Sequence, residues 1–137
     1  MAINIRRVDY FYTTVKDQPG EAQKLLSQLA DQGVNLLAFT GVPVGPMHTQ
    51  FSLFPADTRL AEDAASKAGI KLDGPYPAFL VQGDDELGAL AGIHERLGAA
   101  NVNVYASSGV TDGRGSFGYV LYVRPAKFEQ AATVLGI

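Results

Sequence analysis

The chain has 137 residues, a formal net charge of −3 and no cysteine. That length suits one ordinary domain or two very small ones, and 47% hydrophobic with 18% charged residues describes a chain able to bury a core. The missing thiols exclude a disulfide scaffold, a thiolate nucleophile and sulfur-ligated zinc, and the excess of acid offers nucleic acid little of the basic surface it needs.

The opening residues Met1-Ala2-Ile3-Asn4-Ile5-Arg6-Arg7 carry no apolar run behind the arginines, so no signal peptide is expected. No stretch approaches the ~18 apolar residues of a membrane span, and the expected location is the cytoplasm. Val8 to Val15 is dense in β-branched and aromatic residues and reads as a strand. Ala22, Leu25, Leu26, Leu29 and Ala30 then recur at helical spacing, which predicts a helix over 19–32. Asp17 or Gln18 suits its cap, Pro19 its first turn and Gly33 its stop. Strands follow at about 34–42 and 49–54, joined by Pro43-Val44-Gly45-Pro46. Asp57 caps a second helix over 57–68 bearing Leu60, Ala64, Ala65 and Ala68, and Gly69 ends it. A short strand at Ile70-Lys71-Leu72 precedes a stiff joint, Asp73-Gly74-Pro75-Tyr76-Pro77.

Beyond the joint the same order returns. Ala78 to Val81 reads as a strand, and Leu87, Leu90, Ala91, Ile93 and Leu97 make the stripe of a helix over 87–100. Strands at about 102–108 and 117–124 flank a Thr111-Asp112-Gly113-Arg114-Gly115 turn. Pro125 opens a helix to residue 135 with Phe128, Ala131, Ala132 and Leu135 inward. Residues 17–54 align with 85–122 at an offset of 68 without a gap, and ten of the 38 positions are identical. They include Asp17/Asp85, Gly20/Gly88, Leu29/Leu97, Asn35/Asn103 and Gly41/Gly109, which are turn and core positions, so the chain reads as a duplication. The expected fold class is α+β: ferredoxin-like β-α-β-β-α-β units in tandem, 1–73 and 74–137, with antiparallel sheets and helices on one face. The second repeat lacks its last strand. Both strand parities are apolar (Tyr10 with Phe11, Val120 with Leu121), so the other sheet face and the unpaired edge are expected to drive association.

Little in the chain points to catalysis. His48 and His94 have no second histidine at metal-ligand spacing. Asp84, Asp85 and Glu86 are ordinary helix-start chemistry, and no nucleophile elbow or phosphate loop is present. Neither an enzyme, a metal nor a cofactor is expected. The feature that recurs is the strand-to-helix loop. A helix N-terminus offers backbone N–H groups to a carboxylate, Gly20 lets a ligand approach closely, and Asp17 and Asn35 carry oxygens able to hold an ammonium group.

Asp-x-Pro-Gly, a leucine-rich helix and Gly-Val-Asn-Leu, at Asp17, Pro19, Gly20, Leu29 and Gly33 to Leu36, resemble the ACT domain, a small regulatory unit beside amino-acid-metabolising enzymes. The second copy matches at Asp85, Gly88, Leu97, Val102 and Asn103 but has Leu87 for the proline and Asn101 for the glycine. The resemblance implies a stand-alone tandem ACT protein that binds an amino acid or similar ligand, forms homo-oligomers and regulates a partner enzyme of amino-acid metabolism. It places one site at Asp17, Gln18, Pro19 and Gly20 facing Asn103, and its counterpart at Asp85, Glu86, Leu87 and Gly88 facing Asn35. Two other readings stay open. One is an oligomerisation module without a ligand. The other is RNA binding, because Arg114-Gly115-Ser116-Phe117-Gly118-Tyr119-Val120-Leu121-Tyr122 is one serine away from an RNA-recognition signature.

Overall fold

The computed structural model describes residues 3–137. Met1 and Ala2, where the reading of the N-terminus began, lie outside the described residues. The elements run β1 (Ile3–Lys16), α1 (Glu21–Asp31), β2 (Leu36–Val44), β3 (His48–Pro55), α2 (Thr58–Ala68), β4 (Asp73–Asp84), α3 (Ala89–Ala99), β5 (Val104–Thr111), β6 (Ser116–Val123) and, after a 3-10 turn at Pro125–Lys127, α4 (Phe128–Leu135). The chain divides into two compact units. One comprises residues 9–76. The other comprises 77–137 together with the N-terminal segment up to Val8.

In the unit of residues 9–76 the strand order is β2-β3-β1 followed by the start of β4. β3 pairs antiparallel with both neighbours: Phe11 opposes Leu53, which opposes Phe39. Phe11, Phe51 and Leu53 turn one face of the sheet onto Leu25 and Leu29 of α1 and Ala61 and Ala64 of α2. Small alanines on α2 let it sit close to the strands, and burying those side chains stabilises by about 25 cal/mol per Å² of apolar surface. Asp57 caps α2 through Oδ1, accepting from the Leu60 N–H at 3.1 Å, and Gly69 ends it in the left-handed region. Leu60, expected inward, is 36% exposed.

The second unit repeats the plan with β4-β6-β5, α3 and α4. Phe79 and Leu121 face Ile93, Leu97, Phe128 and Leu135, and the Phe79 and Phe128 rings stack with centroids 4.3 Å apart. Here α3 starts at Ala89, so Leu87 stands in the loop, fully exposed, and Ala89 rather than Leu90 lines the core.

Two expectations change. Residues 70–72 are not a strand; the supposed joint is itself the start of β4, and Ile70 and Leu72 pack on the core from an irregular segment. The fourth strand of the second unit is not missing. Residues 3–8 of β1, a strand hydrogen-bonded to β4, supply it and lay Ile3 and Ile5 on that core. Arg7 then reaches α4, pairing with Glu129 at 2.7 Å and lying over the Phe128 ring. The compact units thus differ from the sequence repeats 1–73 and 74–137 by two short strand segments. Within the two units Tyr10 and Phe54, and Leu80, Val120 and Tyr122, are each at most 7% exposed.

Candidate ligand-binding loops

The loop of residues 17–20 leaves β1 beside the β2–β3 hairpin. The Asp17 N–H donates to Met47 O at 2.9 Å, and the Glu21 N–H donates to Gln18 O. Gly20 stands at the helix N-cap with φ 88°, a left-handed conformation that glycine adopts without strain. No side chain caps α1. Neither Asp17 nor Gln18 fills the role expected of it, and Pro19 lies outside the helix rather than in its first turn. The four loop residues are exposed.

The second loop has the same construction at the offset of 68. The Asp85 N–H donates to Gly115 O at 2.9 Å, the Ala89 N–H donates to Glu86 O, and Gly88 is the left-handed N-cap of α3 with φ 81° and no side-chain cap. The departures from the first copy leave this geometry intact. Leu87 occupies a position that donates no bond in the first loop, where proline has no N–H. Asn101, in place of Gly33, adopts φ 58° and stops α3 as the glycine stops α1, with the Val102 N–H donating to Leu97 O where Val34 donates to Leu29 O. Asparagine tolerates that region better than other side chains.

Each loop thus ends on a helix whose first N–H groups carry no side-chain acceptor, an arrangement suited to a small carboxylate. At the second loop there is also a cavity. Residues 85–88, Leu90 of α3 and Gly109 to Thr111 of β5 line an open hollow of about 590 Å³, and Asp85 and Glu86 are the charged groups on its wall. Its apolar surface includes Leu87 and Val110, the latter 76% exposed.

The asparagines sit elsewhere. Asn35 precedes β2, whose Leu36 opposes Pro55 at the end of β3, whereas the 17–20 loop adjoins His48 at the start of β3. Asn103 precedes β5 in the same way, with Val104 opposing Val123, while the 85–88 loop adjoins Ser116. Each asparagine therefore lies at the opposite end of its own sheet from its own loop.

The remaining candidates resolve simply. His48 is exposed at the start of β3. His94 Nε2 lies 2.7 Å from the Tyr119 hydroxyl, a core-edge pair that replaces the Leu26 and Phe51 of the first repeat. No group of metal-ligating side chains occurs among the described residues. Gly113 and Gly115 belong to the β5–β6 hairpin, where Asp112 Oδ1 accepts from the Arg114 and Ser116 N–H groups. The RNA reading loses its basis here. Of the aromatics in the apparent signature, Phe117 and Tyr119 are buried on the helix side of the sheet and Tyr122 is 7% exposed, so they present no stacking platform.

No family profile and no curated protein sequence matches the chain. Solved structures do. A protein from Bacteroides thetaiotaomicron superposes with a TM-score of 0.82 at 14% identity, covering 96% of this chain and 88% of that one. The regulatory subunit of aspartate kinase from Thermus thermophilus superposes with a TM-score of 0.68 at 14% identity, over 98% and 95% of the two chains. Its counterpart from Thermus flavus gives 0.63 at 15% identity, over 98% and 93%. No helix is long and apolar enough to cross a membrane. With its duplicated antiparallel units and their glycine-capped loops, the chain has the tandem ACT fold seen in those regulatory subunits.

Proposed function

We propose that the chain is a regulatory module that binds an amino-acid-type ligand at its β–α loops and acts through ligand-dependent association. The observation that carries this reading is the duplicated loop: the same backbone hydrogen bonds and the same left-handed glycine stand before α1 and α3. Helix N–H groups hold the α-carboxylate. Asp17, and Asp85 or Glu86 in the second copy, hold the ammonium group, with Gln18, Pro19, Gly20, Leu87 and Gly88 shaping the approach. The regulatory subunits of aspartate kinase that share the fold support a regulatory rather than catalytic role, and by analogy a partner enzyme of amino-acid metabolism.

Ligand would act by favouring one of two states of assembly, because only differential affinity shifts an equilibrium. The surface available for assembly is the pair of end strands. β5 is exposed from Tyr105 to Thr111, and Val42 and Val44 of β2 are 53% and 42% exposed. The same strands support the second reading, an association module without ligand.

A thermal-shift screen against the twenty amino acids, read beside light scattering, decides between them. Ligand that binds only the native state raises the midpoint. A shift with one or a few amino acids, accompanied by a change in mass, is the expected result. A stable oligomer indifferent to all twenty would leave the association module.

A further inference from the structure

A cleft of about 480 Å³ opens in the unit of residues 9–76, and none of residues 17–20 lines it. It lies between α1, the end of β1 and the segment joining α2 to β4. The origin is topological. Gly69 turns the chain out of α2, and the fourth strand begins only at Asp73, so an irregular segment rather than a strand flanks the cleft. The volume falls within the range of small-molecule sites.

Four charged side chains stand on its wall. Glu21 and Lys24 come from the first turns of α1, Lys71 and Asp73 from the joining segment. Glu21 and Lys24 are three residues apart on one helix, close enough to pair with each other. They do not: the ion pair among the described residues is Arg7–Glu129. Lys71 likewise makes no side-chain bond, whereas Asp73 Oδ1 accepts from the Tyr76 hydroxyl at 2.7 Å. Two uncommitted cations and one uncommitted carboxylate therefore line one cleft, above a buried Thr13.

We infer that this cleft binds a dicarboxylic amino acid. Its two carboxylates are matched by Lys24 and Lys71, and its ammonium by Glu21 with the Asp73 carboxylate on the same wall. Because the cleft exceeds the volume of such a molecule, bound water bridges the remaining polar groups, including Gln28 and Gln50. This site is independent of the β–α loops and goes beyond the proposed function.

The test is an amide-resolved NMR titration of the full chain with L-glutamate, glutarate and L-lysine. L-Glutamate should give saturable shifts at Thr13, Gly69 and Lys71. Glutarate, which lacks the ammonium group, should bind more weakly, and L-lysine should not compete. The double variant K24E/K71E should weaken glutamate binding about tenfold or more, and Glu21→Gln should abolish the preference for glutamate over glutarate. All three side chains are without partners in the fold, so these variants retain it, and Gly92→Ala, outside both the cleft and the loops, serves as the control that leaves glutamate binding unchanged. No saturable shift at these amides up to about 20 mM glutamate, shifts confined to 17–20 and 85–88, or undiminished binding by K24E/K71E would overturn the site. Shifts confined to the loops would leave the proposed function standing.

Discussion

Gly109 shows how one absent atom sets the packing of a strand. A Cβ at this position would stand 2.6 Å from the Tyr119 ring and 3.1 Å from Gly118 O, and its counterpart Gly41 has the same relation to Phe51 at 2.9 Å. Gly109→Ala is therefore expected to destabilise by about 1–3 kcal/mol, the usual cost of overpacking. Gly92, inside α3, meets nothing within 4 Å and is expected to gain up to about 1 kcal/mol on substitution by alanine. Thermal denaturation of the two variants checks both signs, and equal effects would refute the steric account. At Gly20 the obstacle is conformation instead: the space is open but φ is 88°. Gly20→Leu would place a side chain in a region costing it about 1–2 kcal/mol, whereas Gly20→Asn, following the example of Asn101, preserves the loop while obstructing the ligand's approach. Titration offers another residue-scale test. The hydrogen bond from its hydroxyl to Asp73 raises the Tyr76 pKa above the ordinary 10.0. The folded value exceeds the unfolded one, so whatever the bond contributes is fully present below pH 10 and lost as pH rises through the folded value. Asp73→Asn should lower the Tyr76 titration midpoint, read from phenolate absorbance or by NMR.

Among the elements, β1 has the role least visible in its own residues. Its second half carries Phe11 and Val15 into the core of one unit, while Ile3 and Ile5 complete the core of the other. Truncating Ile5 to alanine should cost about 1–3 kcal/mol, less than a fully buried isoleucine because it is only partly covered. Deleting residues 1–8 should expose the face of β4 and α4, detectable as increased dye binding and a lowered unfolding midpoint; an unchanged midpoint would mean that residues 77–137 complete themselves in some other way. The exposed Arg7–Glu129 pair contributes little to this, since surface ion pairs are worth about 0–1 kcal/mol. At α2 the cap is specific. Asp57→Ala removes the acceptor of the Leu60 N–H and is expected to cost about 1 kcal/mol in chemical denaturation.

At the scale of the whole molecule, the question is what the chain meets. The end strands β2 and β5 carry exposed side chains at the edges of the sheet order. A lysine on an end strand opposes pairing with another strand. Val110→Lys lies on β5 next to the second loop's cavity and replaces an exposed side chain, so folding should be unaffected. Light scattering is expected to show weakened association in this variant; an unaltered mass at matched concentration would exclude β5 from the interface.

The duplication, the order of elements, the α2 cap and stop, and most core residues were legible in the sequence. Each depends on local chemistry: period-3.6 or β-branched patterning, an aspartate before a helix, a glycine after one. Equivalent hydrogen bonds at an offset of 68 confirm that the repeated residues encode repeated geometry. Tertiary structure alone decided which segment completes which sheet, because strand pairing joins residues far apart in the chain and leaves no local signature. Ile3 and Ile5 look like the start of the first repeat yet belong to the second unit. The cleft around Lys24 and Lys71 was equally hidden, since those lysines stand 47 residues apart and only folding sets α1 beside the segment after α2.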